Sequence, residues 1–445
     1  MRRARMAVLA LTLALAPGAG LRAAGSGAGL LTEARTLLPE TVQGTVVLFS
    51  DGGRGAGDVA RMAALRARGA AVIGVDSRAL LARIEADPGA CVYVMAQIED
   101  LAKSLQRGAG EGSYRQPVLA GAGLGGTLAL ALMAQTPPGT VAGALAVDPA
   151  PGLPLERPLC TQARREVAGG IARYGLSDTP LPAPIEVILT PAAPAAGRAH
   201  AHELQAAHPD IVLTEAPGPA GPALSAALAG RLAAAEVEPL GLPLTLLAVP
   251  PAHDAMAVIW SGDGGWRDID KQIGGALAAR GVPVVGIDSL RYFWQERRPE
   301  EAAADLARII ATYAAQWQVK DVALIGYSFG ADILPATFNH LPPEMQARVR
   351  QISLLGLSDH AGWEISVSGW LGQAADGPPT APDLARIPPT LLQCVYGEKE
   401  EASPCPALAA AGAEAIRTAG GHHFDGNYTA LAEAVLAGLV RRAGR

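Results

Sequence analysis

The chain has 445 residues, half of them hydrophobic and 18% charged, with a formal net charge of −6 at pH 7. That length exceeds a usual domain of roughly 100 to 200 residues, and the apolar content supplies a core for each of two, which excludes global disorder. The acidic balance excludes nonspecific nucleic-acid binding, and beyond Ala16 no apolar run approaches the roughly 18 residues of a membrane span, which excludes a multi-span membrane protein.

The amino terminus places Arg2, Arg3 and Arg5 before an apolar stretch from Met6 to Ala16, and small residues follow as far as Ala23 and Ala24. This is the layout of a signal peptide, 1–24, with an apolar core too short to cross a bilayer, and it predicts export. An oxidising compartment permits disulfides, and the cysteines are four: Cys91, Cys160, Cys394 and Cys405. Cys394 is expected to pair with Cys405 across a short loop, and Cys91 with Cys160. No CxxC or paired CxxH spacing occurs, so neither a metal site nor a cofactor is expected.

From residue 25 onward the chain reads as two copies of one plan. VVLFSDGGRGAGD, ARGAAVIGVDS and PVLAGAGLGGTLAL in the first half are answered, in the same order, by AVIWSGDGGWRDID, ARGVPVVGIDS and VALIGYSFGADILP in the second. Each copy alternates short β-branched runs with Ala/Leu-rich amphipathic stretches, the pattern of βα units on a mostly parallel sheet. In the second copy strands are predicted over 244–249, 256–261, 283–288, 322–327, 351–357, 389–396 and 414–418. Helices are predicted over 268–280, 300–317, 329–340 and 427–441. The expected fold is α/β: two tandem α/β-hydrolase-like domains, 25–235 and 244–445, joined by a linker at 236–243.

Gly326-Tyr327-Ser328-Phe329-Gly330 follows an apolar strand and opens a helical stretch, the context of a nucleophile elbow. Only small residues fit two positions either side of such a serine, and Ser328 is the expected nucleophile. A serine hydroxyl needs a base, and in this fold the chain order is Ser, acid, His. Gly420-Gly421-His422-His423-Phe424 stands between the last strand and last helix, so His422 is the expected base, with His423 as the alternative. The acid should follow the penultimate strand, where Gly397-Glu398-Lys399-Glu400-Glu401 offers Glu400 first, then Glu401 and Glu398, with Asp359 as an outside choice. Oxyanion donors are expected from Phe329, next to the serine, and from Gly262 and Asp263 in the loop Ser261–Trp266. The remaining histidines, at 200, 202, 208, 253, 340 and 360, are expected in solvent.

The first copy lacks these groups: Gly123 stands at the nucleophile position, Thr190-Pro191-Ala192-Ala193 at the acid loop, and Pro217-Gly218-Pro219-Ala220 at the histidine loop. It reads as catalytically degenerate. All six tryptophans lie in the second copy; Trp260 and Trp317 suit a core, and Trp266 and Trp294 are expected in loops lining an acyl or lipid site.

The strings IWSGDGGWRDIDKQIG, GIDSLRYFW, GYSFGADILP and GGHHFDGNY resemble the AcvB/VirJ family of exported bacterial virulence-associated proteins. The second half matches the VirJ-like domain throughout, and the two-copy length is similar to the longer AcvB type. The resemblance implies an α/β-hydrolase fold, a periplasmic location and hydrolysis of aminoacyl-phosphatidylglycerol, chiefly the lysyl form, at the outer face of the inner membrane. It also implies a possible partner in type IV secretion, and it supports Ser328 and the His422/His423 motif. The acid loop has glutamates where the resemblance leads one to look for aspartate. Ammonium groups of such a substrate would need carboxylates or aromatic faces, and Asp332, Asp425, Asp263 and Trp266 are the candidates. The competing readings are a general esterase or lipase and a non-enzymatic envelope accessory protein.

Overall fold

The computed structural model describes residues 29–51, 56–110, 112–177, 181–233, 238–365, 377–400 and 402–444. The expected signal peptide lies outside them. Among the described residues no helix is long and apolar enough to cross a membrane.

The strands of the first half are β1 (Arg35–Leu37), β2 (Gly44–Ser50), β3 (Ala70–Asp76), β4 (Pro117–Ala122), β5 (Gly143–Val147), β6 (Arg165–Ala168), β7 (Ile171–Tyr174), β8 (Ile185–Leu189) and β9 (Val212–Glu215). Those of the second are β10 (Leu244–Leu247), β11 (Ala255–Trp260), β12 (Val284–Ile287), β13 (Asp321–Tyr327), β14 (Val349–Leu355), β15 (Leu392–Gly397) and β16 (Glu414–Thr418). Two seven-stranded sheets form, in the orders β1-β3-β2-β4-β5-β8-β9 and β10-β12-β11-β13-β14-β15-β16, with β6 and β7 apart as a hairpin. In each, the first strand is antiparallel to its neighbour and the others run parallel. The two sheets are thus topological copies, as the repeated strings require, and the order is that of tandem α/β-hydrolase sheets.

Parallel strands are covered on both faces, so they read as continuous apolar runs. All six residues of β11 are buried. Met256, Val258 and Trp260 point into one core layer, while Ala255, Ala257 and Ile259 point into the other, the alternation a pleated strand imposes. The repeated GVDS and GIDS strings each end a strand with a cap. Asp76 accepts from the N–H groups of Arg78 and Ala79, and Asp288 from that of Arg291.

Predicted and observed elements differ mainly at ends. β15 starts at Leu392 and not at 389, because Pro389–Leu391 forms a 3-10 turn and proline has no N–H for a ladder. β14 ends at Leu355, ahead of Gly356 with its φ of 66°. His200 is buried, against expectation, because it faces inward from the helix Ala195–Ala207.

Both expected disulfides are present, Cys91–Cys160 and Cys394–Cys405. The second joins buried Cys394 on β15 to buried Cys405 at the start of the helix Cys405–Ala410. Replacing Cys394 and Cys405 together by alanine should lower stability by about 2–4 kcal/mol. The check is the denaturant midpoint under non-reducing conditions, beside the wild type.

Candidate active site

Ser328 sits between β13 and the helix Phe329–Asn339 with φ 51° and ψ −120°, a conformation that non-glycine residues rarely adopt. Its N–H donates to Leu355 O at 2.8 Å, which ties the turn to the neighbouring strand. A Cβ on Gly326 would lie 2.4 Å from Gly330 O, and one on Gly330 would lie 2.3 Å from Trp260 O. The backbone is therefore too close for any other residue at these two positions, and the hydroxyl is raised above the strand ends.

Three side chains meet there. His422 Nε2 lies 2.8 Å from Ser328 Oγ, and His422 Nδ1 lies 2.8 Å from Glu400 Oε1. An ionised carboxylate only accepts, so Nδ1 carries the imidazole proton and Nε2 is free to accept from the serine hydroxyl. The Gly397 N–H donates to Glu400 Oε2 at 2.6 Å, fixing the carboxylate within its own turn. Space for the ring comes from Gly356, where a Cβ would lie 2.9 Å from His422 Cε1.

The alternatives are occupied elsewhere. His423 Nδ1 is 3.1 Å from Tyr327 Oη, whose phenol is held protonated by burial. Glu398 faces Arg417 at 3.4 Å, and Asp359 pairs with His360 at 2.9 Å. Glu401 lies outside the described residues.

The loop from Ser261 to Trp266 arrives beside the nucleophile: a Cβ on Gly262 would stand 3.7 Å from Ser328 Cβ. Two buried carboxylates hold it from below. A Cβ on Gly265 of the loop would lie 2.7 Å from Asp288 Oδ1, which accepts from the Arg291 N–H at 3.1 Å, and Asp270 is buried in the first turn of the helix Asp268–Ala279. Burial raises both acids, Asp270 the further. The loop leaves Gly262 and Asp263 as its candidate oxyanion donors, alongside Phe329. Asp270 and Asp288 were not singled out in the sequence, since an acid in a first helical turn reads as a complement to the dipole.

Trp266 does not line the mouth of the site. It is 7% exposed, and its indole fills the space over Gly286 and Gly274, where a Cβ on Gly286 would meet it at 2.3 Å. Trp294 is buried too, stacked on Tyr114 of the first half with ring centroids 5.1 Å apart. The aromatic wall is formed by the partly exposed Phe329 and Trp363 around the buried Phe293, whose centroid is 5.0 Å from that of Phe329 and 5.9 Å from that of Trp363. Asp332, near the start of the elbow helix, accepts from the Ser358 N–H at 2.7 Å; burial, with Asp359 and Asp263 nearby, pushes its carboxyl up to about 7. Asp425 is exposed and accepts from the Asn427 N–H, shaping the turn into the helix Tyr428–Ala443.

In the first half the elbow backbone persists without its side chain. Gly123 has φ 56° and ψ −126°, and its N–H donates to Val147 O at 2.9 Å, the counterpart of the Ser328 bond. A Cβ there would lie 2.7 Å from Asp51 Oδ2. Thr190, in the acid-loop position, donates to Asp148.

A sheet of this order with a serine on an elbow, bonded to a histidine that is bonded to a carboxylate, defines an α/β-hydrolase domain with a Ser-His-Glu constellation. Residues 254–443 match the family described as bacterial virulence protein (VirJ), so this second domain is VirJ-like. No curated protein matches the chain. Similar solved structures include Est1E from Butyrivibrio proteoclasticus with bound ferulic acid, at 14% identity and a TM-score of 0.33, covering 46% of this chain and 97% of that one. MenH from S. aureus is 12% identical with a TM-score of 0.33, covering 45% and 99%. A lipase-esterase related protein from Clostridium acetobutylicum is 12% identical with a TM-score of 0.30, covering 44% and 98%.

Glu400→Gln keeps the shape of the acid but can offer its amide to His422, favouring the wrong tautomer. It should lower kcat by about 10³ to 10⁴. Glu398→Gln and Asp359→Asn should leave kcat unchanged. Steady-state rates on one activated ester decide among the three acids.

Proposed function

We propose that the second domain is a serine esterase that hydrolyses the aminoacyl ester of aminoacyl-phosphatidylglycerol, the lysyl form first, in the bacterial periplasm. The observation that carries the ester chemistry is the continuous hydrogen-bonded line from Ser328 through His422 to Glu400, with backbone donors beside it. The likeness to VirJ proteins supports the choice of substrate. Two disulfides support an oxidising compartment.

The reaction follows from the geometry. Ser328 Oγ attacks the ester carbonyl while His422 Nε2 takes its proton, and Glu400 stabilises the resulting imidazolium. The oxyanion is met by the N–H of Phe329 and by those of the Gly262-Asp263 segment; losing one such donor costs about 3 kcal/mol of transition-state stabilisation. On collapse the ester C–O bond breaks and His422 gives its proton to the departing glycerol hydroxyl, leaving an aminoacyl-serine. Water, deprotonated by His422, then releases the free amino acid and restores Ser328.

Recognition of a cationic acyl group is given to the acids around the elbow. Asp332 has Asp263 and Asp359 near enough to raise its carboxyl, so the surroundings are negative without a fixed counter-cation among the groups acting on it. An arriving ammonium would lower that carboxyl again and be held by it. Phe329 and Trp363, both partly exposed and backed by the buried Phe293, suit apolar contact with substrate.

Purified protein given lysyl-phosphatidylglycerol should release lysine and leave plain phosphatidylglycerol intact, and Ser328→Ala should release none. Free fatty acid in place of lysine would make the protein a phospholipase. A second outcome concerns pH. Asp332 is charged above about 7, so its hold on an ammonium grows as pH rises through that value. Asp332→Asn should therefore lower kcat/KM for the lysyl ester on the order of tenfold at about pH 8, and much less at about pH 6. A neutral nitrophenyl ester should show no such difference.

A further inference from the structure

The helix Met95–Gly108 of the first domain touches the second domain at two places, one next to the loop that approaches Ser328 and one next to the segment packed on Phe329. At one, Glu99 pairs with Arg267, the residue that ends the oxyanion loop, and with Lys103 Nζ at 2.8 Å. Lys103 is 1% exposed, so this ion cluster is closed from water on the side of the helix. Gly139 of the first domain abuts the same loop: a Cβ there would lie 3.0 Å from Trp266 O.

At the other, Arg107 spreads over the Trp294 ring, 4.1 Å from its centroid. It donates to Trp294 O at 3.0 Å, to Ile365 O at 2.5 Å and to Glu364 at 2.8 Å. Tyr114 stacks on Trp294 and lies within the second domain's own core. Trp294 follows Phe293 directly, and the Ile365 N–H donates to Phe293 O at 2.9 Å. Arg107 therefore bridges the two backbone segments that carry the Phe293 and Trp363 wall against Phe329.

We propose that the first domain is an intramolecular positioning subunit, which holds the oxyanion loop through Glu99 and the aromatic wall through Arg107. The physical need is plain. The elbow is fixed by its own strand and helix, but the loop donor and the wall are irregular backbone, and an oxyanion hole works only when its donors are already in place. A guanidinium bonded to two carbonyls and stacked on an indole fixes direction as well as distance. This assignment rests on Ser328 acting as a nucleophile and on no particular ester. Glu99 and Arg107 are positioning residues, and neither touches substrate.

The experiment uses the full chain with Arg107→Ala, Glu99→Gln and, as a control for simple loss of first-domain stability, Leu65→Ala, a buried residue in the core layer that excludes the joint helix. Amide hydrogen exchange is followed in peptides covering 262–267 and 293–294, together with kcat and KM on nitrophenyl acetate. Arg107→Ala should speed exchange at 293–294, and Glu99→Gln at 262–267, with kcat lowered about tenfold and KM within about twofold of wild type. Leu65→Ala should change neither exchange in these peptides nor kcat. Unchanged exchange in both interface variants overturns the proposal, and so does faster exchange with wild-type kcat. Faster exchange in a protein whose wild type cleaves no ester would uphold the positioning and defeat the esterase reading.

Discussion

The left-handed backbone at Ser328 is the constraint on which the rest of the second domain turns. A non-glycine residue with φ near 51° is strained by of order 1–3 kcal/mol and persists only where its surroundings over-determine it. They do so here through contacts that leave no freedom: Gly326 against Gly330, Gly330 against Trp260, and the Ser328 N–H on Leu355. Each involves a different strand of one sheet. The sheet order must therefore be right before the serine can stand where it does, and once it is, the loops after β15 and β16 deliver the acid and the base to the same edge.

The same backbone survives in the first domain, where nothing chemical requires it. Gly123 repeats the dihedral angles and the hydrogen bond, and its neighbours are as tightly packed, with a Cβ on Gly121 only 2.4 Å from Gly125 carbonyl carbon. A strand-to-helix turn of this tightness is thus first a packing solution for the sheet. Catalysis occupies it in one copy only. In the other, glycine relieves the φ strain, and Asp51 reaches the space that a serine Cβ would use.

Most of this was legible in the sequence because it depends on local grammar. Strand and helix positions follow from periodicity, the elbow from small residues at fixed offsets, and Glu400 from the reach of a short turn after a strand. What was not legible depends on which way a side chain faces. His422 and His423 are adjacent, and only the turn closed by Phe424 on Gly421 decides which ring points to the serine. Trp266 looks like a loop aromatic at a site mouth, yet the positive φ of Gly265 turns the chain back so that the indole covers Gly286. The burial of Asp270 on the inner face of its helix likewise leaves no trace in residue identity. Arg107 and Glu99 act across a joint between two copies, far beyond any window of periodicity.

The joint also bears on why a domain without a nucleophile would remain attached. A degenerate copy that only added bulk could meet its neighbour through any surface. Here much of the contact is made by one helix, from which Glu99 and Arg107 reach the second domain while Lys103, lowered to about 8 by burial, pairs with Glu99. Burying such groups is unfavourable unless each is paired, and pairing fixes the angle of approach. Hydrophobic packing between the copies would tolerate sliding. The ion cluster at Arg267 and the fork on Trp294 and Ile365 do not, and both end on the irregular segments whose positions an oxyanion hole can least afford to leave loose.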